Sequence, residues 1–272
     1  MIIGDYHVHS DFSGDSKAPM EVMIERAIEL GLKKICFTDH MDYDYSHKGD
    51  IRFVFDPEPY VKKLQLLKEQ YQNKIEVLTG IELGLQPQLT EYFQKLMKEY
   101  SFDFVLGSTH VVDYEDPYFP QYWESRTKEE GIRDYFRTIT DNCRSLHDFF
   151  HVYGHLDYII RYAPTADGKK ADYFYEEYQE LLDEALRTIL EYQKGIEVNT
   201  AGLKFGLGYA HPKATVLKRY LELGGELITI GSDAHKPEHL GYDFQLIPDY
   251  LKSLGFKYYA TFRNGVPIYE KL

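Results

Sequence analysis

Cysteine is scarce in this 272-residue chain, which carries only Cys36 and Cys143. A disulfide framework or a cysteine-built zinc site needs more thiols than that, so neither is expected. Cys36 falls inside an apolar run and reads as a small buried hydrophobe. Basic residues are outnumbered as well, 31 Lys and Arg against 44 Asp and Glu, for a formal charge of −13. With no basic stripe to track a phosphate backbone, extended nucleic acid is not an expected partner. Long hydrophobic runs are missing. No stretch approaches the roughly 18 apolar residues that suggest a membrane span, and the first residues do not form a charged-then-apolar leader. These absences predict a cytoplasmic protein with no membrane partner. There is also no internal repeat, low-complexity tract or Gly/Ser-rich linker, and the length suits one barrel domain of alternating strands and helices over 1–272.

What is present is alternation. Apolar, strand-like runs are separated by stretches of helical period, the pattern of a parallel sheet or barrel. Helices are expected over Met20–Leu30, from Pro57 and Pro59 to Tyr71, and over Leu89–Tyr100. Further helices are expected over Lys128–Phe150, Asp172–Gln193, Pro212–Leu223 and Pro248–Leu254. Eight strand-like runs can be counted, the last near Phe256–Ala260. Three long loops, Met41–Asp56, Val111–Thr127 and Arg161–Lys170, follow strands and would roof the strand ends.

The residues suited to chemistry sit just past the strand-like runs. Ile2–Tyr6 leads into His7 and His9, Ile35–Thr38 into Asp39 and His40, and Ile75–Ile81 into Glu82. Phe104–Gly107 leads into His110, Val152–Gly154 into His155, and Leu227–Ser232 into Asp233 and His235. A barrel of parallel strands brings all its strand C-termini to one rim. His7 and His9 alternate on a strand, so both imidazoles can reach one metal. Mixed histidine and carboxylate donors suit zinc, iron or manganese. Asp39 and Asp42 flank His40 and are candidates to orient it. His147, His151, His211 and His239 read as surface or packing groups. His47 lies in a loop able to cover the site, where it would touch substrate.

In order and spacing, His7-x-His9, Asp15, Thr38-Asp39-His40, Glu82, His110, His155 and Ser232-Asp233-x-His235 resemble the polymerase-and-histidinol-phosphatase (PHP) superfamily. The resemblance covers nearly the whole chain. It implies a distorted (β/α)7 TIM-like barrel in the α/β class, with one of the eight runs outside the barrel proper. It also implies two or three divalent metal ions. His7, His9, Glu82 and Asp233 would hold the first, Glu82, His110 and His155 the second, and Asp15, His40 and His235 the third. Many relatives carry histidine in place of Asp15, so this site has a harder ligand set, suited to iron or manganese. A hydroxide bridging the metals would serve as the nucleophile. The filled centre would be net positive and would attract a phosphate dianion despite the acidic composition.

Two further segments are similar to the histidinol-phosphate phosphatase branch. They are Gly154-His155-Leu156-Asp157-Tyr158-Ile159-Ile160-Arg161-Tyr162 and Glu197-Val198-Asn199-Thr200-Ala201-Gly202-Leu203-Lys204. Arg161 offers a planar fork matched to phosphate oxygens, and Lys204 a point charge. Asn199 would face the pocket. Glu197 would either pair within the barrel or meet the amine of the substrate. The branch implies hydrolysis of a small phosphomonoester, L-histidinol phosphate, in histidine biosynthesis. Asp233 and Arg161 would act on the reacting group. Two rival readings use the same ligands: a phosphoesterase for nucleotides or oligonucleotide ends, and a metal-binding partner subunit without turnover.

Overall fold

The computed structural model describes residues 1–45, 53–165 and 171–272, so His47 lies outside the described residues. In chain order the elements are β1 (Gly4–Val8), α1 (Met20–Glu29), β2 (Lys34–Phe37), β3 (His40–Met41), α2 (Pro57–Tyr71), β4 (Glu76–Gly84) and α3 (Thr90–Glu99). Then come β5 (Phe104–Ser108), α4 (Pro120–Glu124), α5 (Lys128–Leu146), β6 (Val152–Tyr153), α6 (Gln179–Glu191) and β7 (Gly195–Asn199). The chain ends with α7 (Ala201–Lys204), α8 (Ala214–Glu222), β8 (Ile228–Gly231), α9 (Ile247–Leu254), β9 (Tyr258–Arg263) and β10 (Val266–Lys271).

Seven parallel strands run in the order β1-β2-β4-β5-β6-β7-β8. The barrel nearly closes where the chain leaving β8 returns to β1. Val8 pairs in parallel with Ala234, and the His9 amide donates to the Ala234 carbonyl at 2.9 Å. This is the distorted seven-stranded (β/α) barrel that the resemblance implied. The eighth run lies outside it. There β9 pairs antiparallel with β10 across Asn264 and Gly265, whose φ values are 51° and 73°. Two positive φ values are what a two-residue type I′ hairpin requires, and Asn-Gly is its sequence signal. β10 goes beyond the eight runs read from the sequence.

Strand alternation divides the barrel into layers. On β4, Leu78, Gly80 and Glu82 share a face, and on β5 so do Phe104, Leu106 and Ser108. The lower members are apolar. Leu78, Phe104 and Leu106 pack with Tyr6, Cys36 and Val152 in one buried cluster, which Ala260 and Phe262 of β9 close from below. The Tyr6 hydroxyl donates to the Phe262 carbonyl at 2.9 Å. The upper members are polar and belong to the site. The opposite faces of the strands, with Ile35, Phe37, Val77, Val105, Ile196 and Ile230, form the core under the helices.

Two helices are shorter than the periodicity predicts. α5 stops at Leu146, and His147–Phe149 tightens into a 3₁₀ turn, a frequent ending for a long helix. α6 begins at Gln179, not near Asp172. Residues ahead of it are held across the chain instead: the Tyr173 hydroxyl donates to Asp157 at 2.8 Å, and Lys213 donates to the Tyr173 carbonyl at 2.7 Å. Those contacts outweigh a helical period in a segment that has only a single 3₁₀ turn, Tyr175–Glu177.

Candidate metal centre

Register decides which side chains meet. The long β4 pairs with β2 through Phe37 and Thr79, and then with β3 through His40 and Glu82. His40 is thereby set beside Glu82. His110 and His155 follow the ends of β5 and β6 by two residues, as Asp233 does β8. Asp233 adopts φ 53°, a left-handed conformation uncommon for any residue but glycine. Backbone strain of this kind collects where the surrounding structure must aim a side chain.

Glu82 is fully buried and stands at the centre. Its Oε2 lies 3.2 Å from His7 Nε2, 3.5 Å from His9 Nε2 and 3.0 Å from His40 Nδ1. Its Oε1 lies 3.1 Å from His155 Nε2 and 3.4 Å from His110 Nε2, and accepts from Ser108 Oγ at 2.7 Å. Asp233 Oδ1 lies 3.4 Å from His9 Nε2 and 3.8 Å from His7 Nε2. At the rim, His235 Nε2 is 3.0 Å from Asp15 Oδ2, and His40 Nε2 is 3.8 Å from the same oxygen.

The structure brings these donors together in four groups tight enough for an ion: His9, His40 and His235; His7, His9 and Asp233; His7, Glu82 and His155; and His40, Asp42 and His110. The grouping differs in detail from the sets implied by resemblance. Asp42 stands with His40 and His110, and Asp15, with its side chain 34% exposed, lies at the edge.

Outer partners aim the imidazoles. His7 Nδ1 donates to Glu197 Oε1 at 2.6 Å, and His110 Nδ1 donates to Asp42 Oδ1 at 2.6 Å. His9 Nδ1 lies 3.0 Å from Ser13 Oγ, which itself donates to Asp39 at 2.7 Å. A carboxylate has no proton to give, so Nδ1 carries the hydrogen and Nε2 faces inward as a ligand atom. Two glycines make room for these anchors. A Cβ at Gly84 would collide with Asp42, and one at Gly231 would collide with both His7 and Glu197.

Several inward atoms find no hydrogen-bond partner despite burial: His7 Nε2, His9 Nε2, His40 Nδ1, His235 Nε2 and Glu82 Oε2. Orphaned polar atoms of this number call for a cation among them, since burying them without a partner is costly. The electrostatics agree. Burial opposes charge on His7 and His40, yet the carboxylates around them overcome it and hold both well above the usual histidine pKa. His110, with burial likewise opposed by Asp42 and Glu82, is pushed up to about 10. Burial would raise the Glu82 and Asp233 pKa values, but the surrounding cations hold both well below the ordinary carboxylate range. Protons therefore compete with metal at these nitrogens, and metal binding would release them.

Above the cluster opens a cavity of about 520 Å³. Arg161 and Lys204 both line it. The Arg161 side chain is 7% exposed, and Nη2 lies 3.6 Å from Asp233 Oδ2. Its guanidinium stacks over the Phe205 ring at 4.1 Å and the Tyr158 ring at 4.9 Å. Nε and Nη2 have no hydrogen-bond partner among the described residues. Lys204 Nζ donates to the Asp233 carbonyl at 3.0 Å, and burial lowers its pKa.

Asn199 is not among the lining residues; it is buried behind His7, donating to Glu197 at 3.1 Å and accepting from the Ala201 amide. Glu197 pairs within the barrel, its second oxygen accepting from the His155 amide at 2.9 Å. The aromatic part of the wall, with Tyr118, Tyr158, Tyr162 and Phe205, was not singled out by the sequence reading. Two of these residues sit inside the quoted Arg161 segment. His239, read as a packing group, also lines the cavity.

A model of the PHP domain family matches residues 5–201. The chain is 36% identical over 247 residues to a protein of Clostridium acetobutylicum named probable histidinol-phosphatase, covering 90% of this chain and 91% of that one. It is 30% identical over 270 residues to the histidinol-phosphatase of Lactococcus lactis, covering 97% and 95%. Among solved structures, it superposes on the Lactococcus lactis histidinol phosphate phosphatase complexed with zinc, L-histidinol and phosphate. The TM-score is 0.86 at 28% identity, over 97% of this chain and 98% of that chain.

Proposed function

The chain belongs to the PHP domain family, and we propose that it is a metal-dependent histidinol-phosphatase, hydrolysing L-histidinol phosphate to L-histidinol and phosphate. The observation that carries this reading is the ring of imidazoles around the buried Glu82, with the Arg161 guanidinium lining the cavity above, its Nε and Nη2 without a hydrogen bond among the described residues. Relatives of nearly equal length bear this name.

The donor set fits divalent metal. His7, His9, Glu82 and Asp233 would hold one ion, Glu82, His110 and His155 a second, and Asp15, His40 and His235 a third. The mixture of imidazole and carboxylate suits zinc, iron or manganese. When bound, such ions supply Lewis acidity, drawing charge from phosphoryl oxygens and acidifying water. The protein's own groups do the rest. Arg161 presents two free N–H directions to phosphate oxygens, and Lys204 adds a second positive charge. Asp233 is held ionised by His7, His9, His235 and Arg161 despite its burial. It therefore stays a carboxylate, suited to holding metal, and does not serve as the acid for the leaving alcohol. Glu197, Asp42 and Ser13 keep three imidazoles from turning.

The test is phosphate release by the purified chain from L-histidinol phosphate, 5′-AMP and a 5′-phosphorylated oligonucleotide. We expect kcat/KM for L-histidinol phosphate to exceed the other two by at least about a hundredfold, a discrimination of roughly 2.8 kcal/mol. A chelator should abolish it. Comparable turnover of the oligonucleotide would favour the nucleotide-directed rival, and metal binding without any turnover the partner-subunit rival.

Asp15 offers a narrower check. Asp15→His replaces the hard ligand at the rim with imidazole, which suits zinc. The variant should fold normally and raise the ratio of zinc to iron and manganese in protein from matched cultures. An unchanged ratio would remove Asp15 from the ligand set.

A further inference from the structure

Asp5, on β1, is fully buried, yet among the described residues it belongs neither to the candidate ligand groups nor to the cavity wall. Its carboxylate is occupied by neutral donors. The Ser232 amide donates to Oδ1 at 2.9 Å, and the His7 amide donates to the same oxygen at 3.3 Å. The Ser232 hydroxyl donates to Oδ2, and so does the Gly241 amide at 3.0 Å. An ionised carboxylate accepts about four hydrogen bonds and donates none, so this side chain is fully used. Burying a charge is costly unless it is bonded in this way. What sets Asp5 apart is which segments it joins.

β1 and β8 stand at opposite ends of the strand order and meet at the barrel seam, where Val8 pairs with Ala234. The loop 232–241 leaves β8 at this seam. It carries Asp233 and His235, and it supplies Lys236 and His239 to the cavity wall. Both its ends are tied to Asp5, one through Ser232 and the other through Gly241. The backbone near both ends is left-handed, with φ 53° at Asp233 and 62° at Gly241. A residue such as aspartate keeps that conformation only where its surroundings over-determine it. Ser232, with two donors on Asp5, is the residue before Asp233. The middle of the loop has other supports. The His9 amide meets the Ala234 carbonyl, Lys204 the Asp233 carbonyl and Ser16 the His235 carbonyl. Losing Asp5 should therefore shift the loop and not release it.

We propose that Asp5 is a positioning residue of the metal centre: it closes the loop 232–241 across the barrel seam and so aims Asp233 at its ion. This rests on the metal-centre reading and not on the identity of the substrate.

The test titrates metal-free protein with zinc. Asp233→Asn marks the ion that this carboxylate holds, as the one whose binding is weakened or lost. Asp5→Asn keeps the volume and one acceptor oxygen, but turns an N–H group towards the donors on Oδ2. It should weaken the marked ion by about 10- to 100-fold, as expected for a group that orients a metal ligand. Any other ion should stay within about threefold of wild type. Should a single ion bind, the double variant decides. It should hold that ion within about threefold of Asp233→Asn alone, and a further loss by the full Asp5→Asn factor overturns the proposal. Equal weakening of all ions, or no weakening beyond about threefold, also overturns it, because Asp5 would then only hold the fold together. If Asp5→Asn folds poorly, Ser232→Ala takes its place, removing the hydroxyl donor alone. A loss of about three- to tenfold confined to the marked ion, the weight of one hydrogen bond, upholds the proposal, and a smaller or general loss overturns it. A wild type that takes up no zinc overturns the metal centre and this proposal together. Turnover does not enter the measurement, so failure of the histidinol-phosphatase reading is seen separately.

Discussion

Glu82→Ala is expected to abolish phosphatase activity and strip the protein of metal. The carboxylate touches five imidazoles, from His7, His9, His40, His110 and His155, within 3.5 Å. No other side chain reaches as many of the donors among the described residues. Its loss leaves buried cationic histidines without their shared counter-ion, and breaking a buried pair costs about 3–5 kcal/mol. The charge stabilisation that metals bring to phosphoryl transfer is itself several kcal/mol, so activity should fall at least about a thousandfold. Glu82→Gln separates the two effects. It retains the volume and can still accept from Ser108 Oγ, which bonds Oε1 at 2.7 Å, but it lacks the charge. The glutamine protein should fold, bind less metal and remain nearly inactive. Metal analysis beside thermal denaturation reads this directly. Full activity in a folded Glu82→Ala protein would sink the metal-centre reading.

Strand-end positions made much of the centre legible beforehand. His7 and His9 declare themselves by alternation, and Asp39-His40 and Ser232-Asp233-x-His235 by following apolar runs. Those signals are local, because a strand's period of two decides which side chain faces inward. The supports were harder to read. Ser13, Asp42 and Glu197 aim histidines that lie 4, 68 and 190 residues away in sequence, and no local pattern encodes such a pairing. Asp42 was legible as a neighbour of His40, which lies 3.3 Å away, but its hydrogen bond to His110 and that of Glu197 to His7 were not. The cavity wall was least legible. Tyr118 and Tyr162 sit in loops, where no period tells which side chain turns towards the site. The fold shows the same division. The seven barrel strands follow hydrophobic runs. The segment ahead of α6 departs from its apparent helix because Tyr173 reaches Asp157, a contact set by the closed barrel.

Arg161→Ala should weaken turnover of L-histidinol phosphate and inhibition by inorganic phosphate in parallel, each by about 10- to 100-fold. That is the expected loss, roughly 1.5–3 kcal/mol, for a charge-assisted contact in a partly dry site. The geometry explains why the contact is available. Burial disfavours the guanidinium charge, but Tyr162, Asp233 and Tyr158 sustain it, and the rings of Phe205 and Tyr158 hold its plane. Nε and Nη2 make no hydrogen bond among the described residues, so the planar fork can turn two donors to two phosphate oxygens. Lysine cannot reproduce that fork, and Arg161→Lys should recover only part of the loss. Alanine also removes a stacked side chain, so some stability will go with it. Phe205→Leu controls for this: it weakens the stack and keeps the charge, and should lower Tm more than it alters the phosphate inhibition constant. The parallel fall in substrate turnover and phosphate inhibition is what identifies a phosphate contact. If Arg161→Ala lost thermal stability while its phosphate inhibition constant stayed in place, Arg161 would be a packing residue, and Lys204 alone would be left to meet the phosphate.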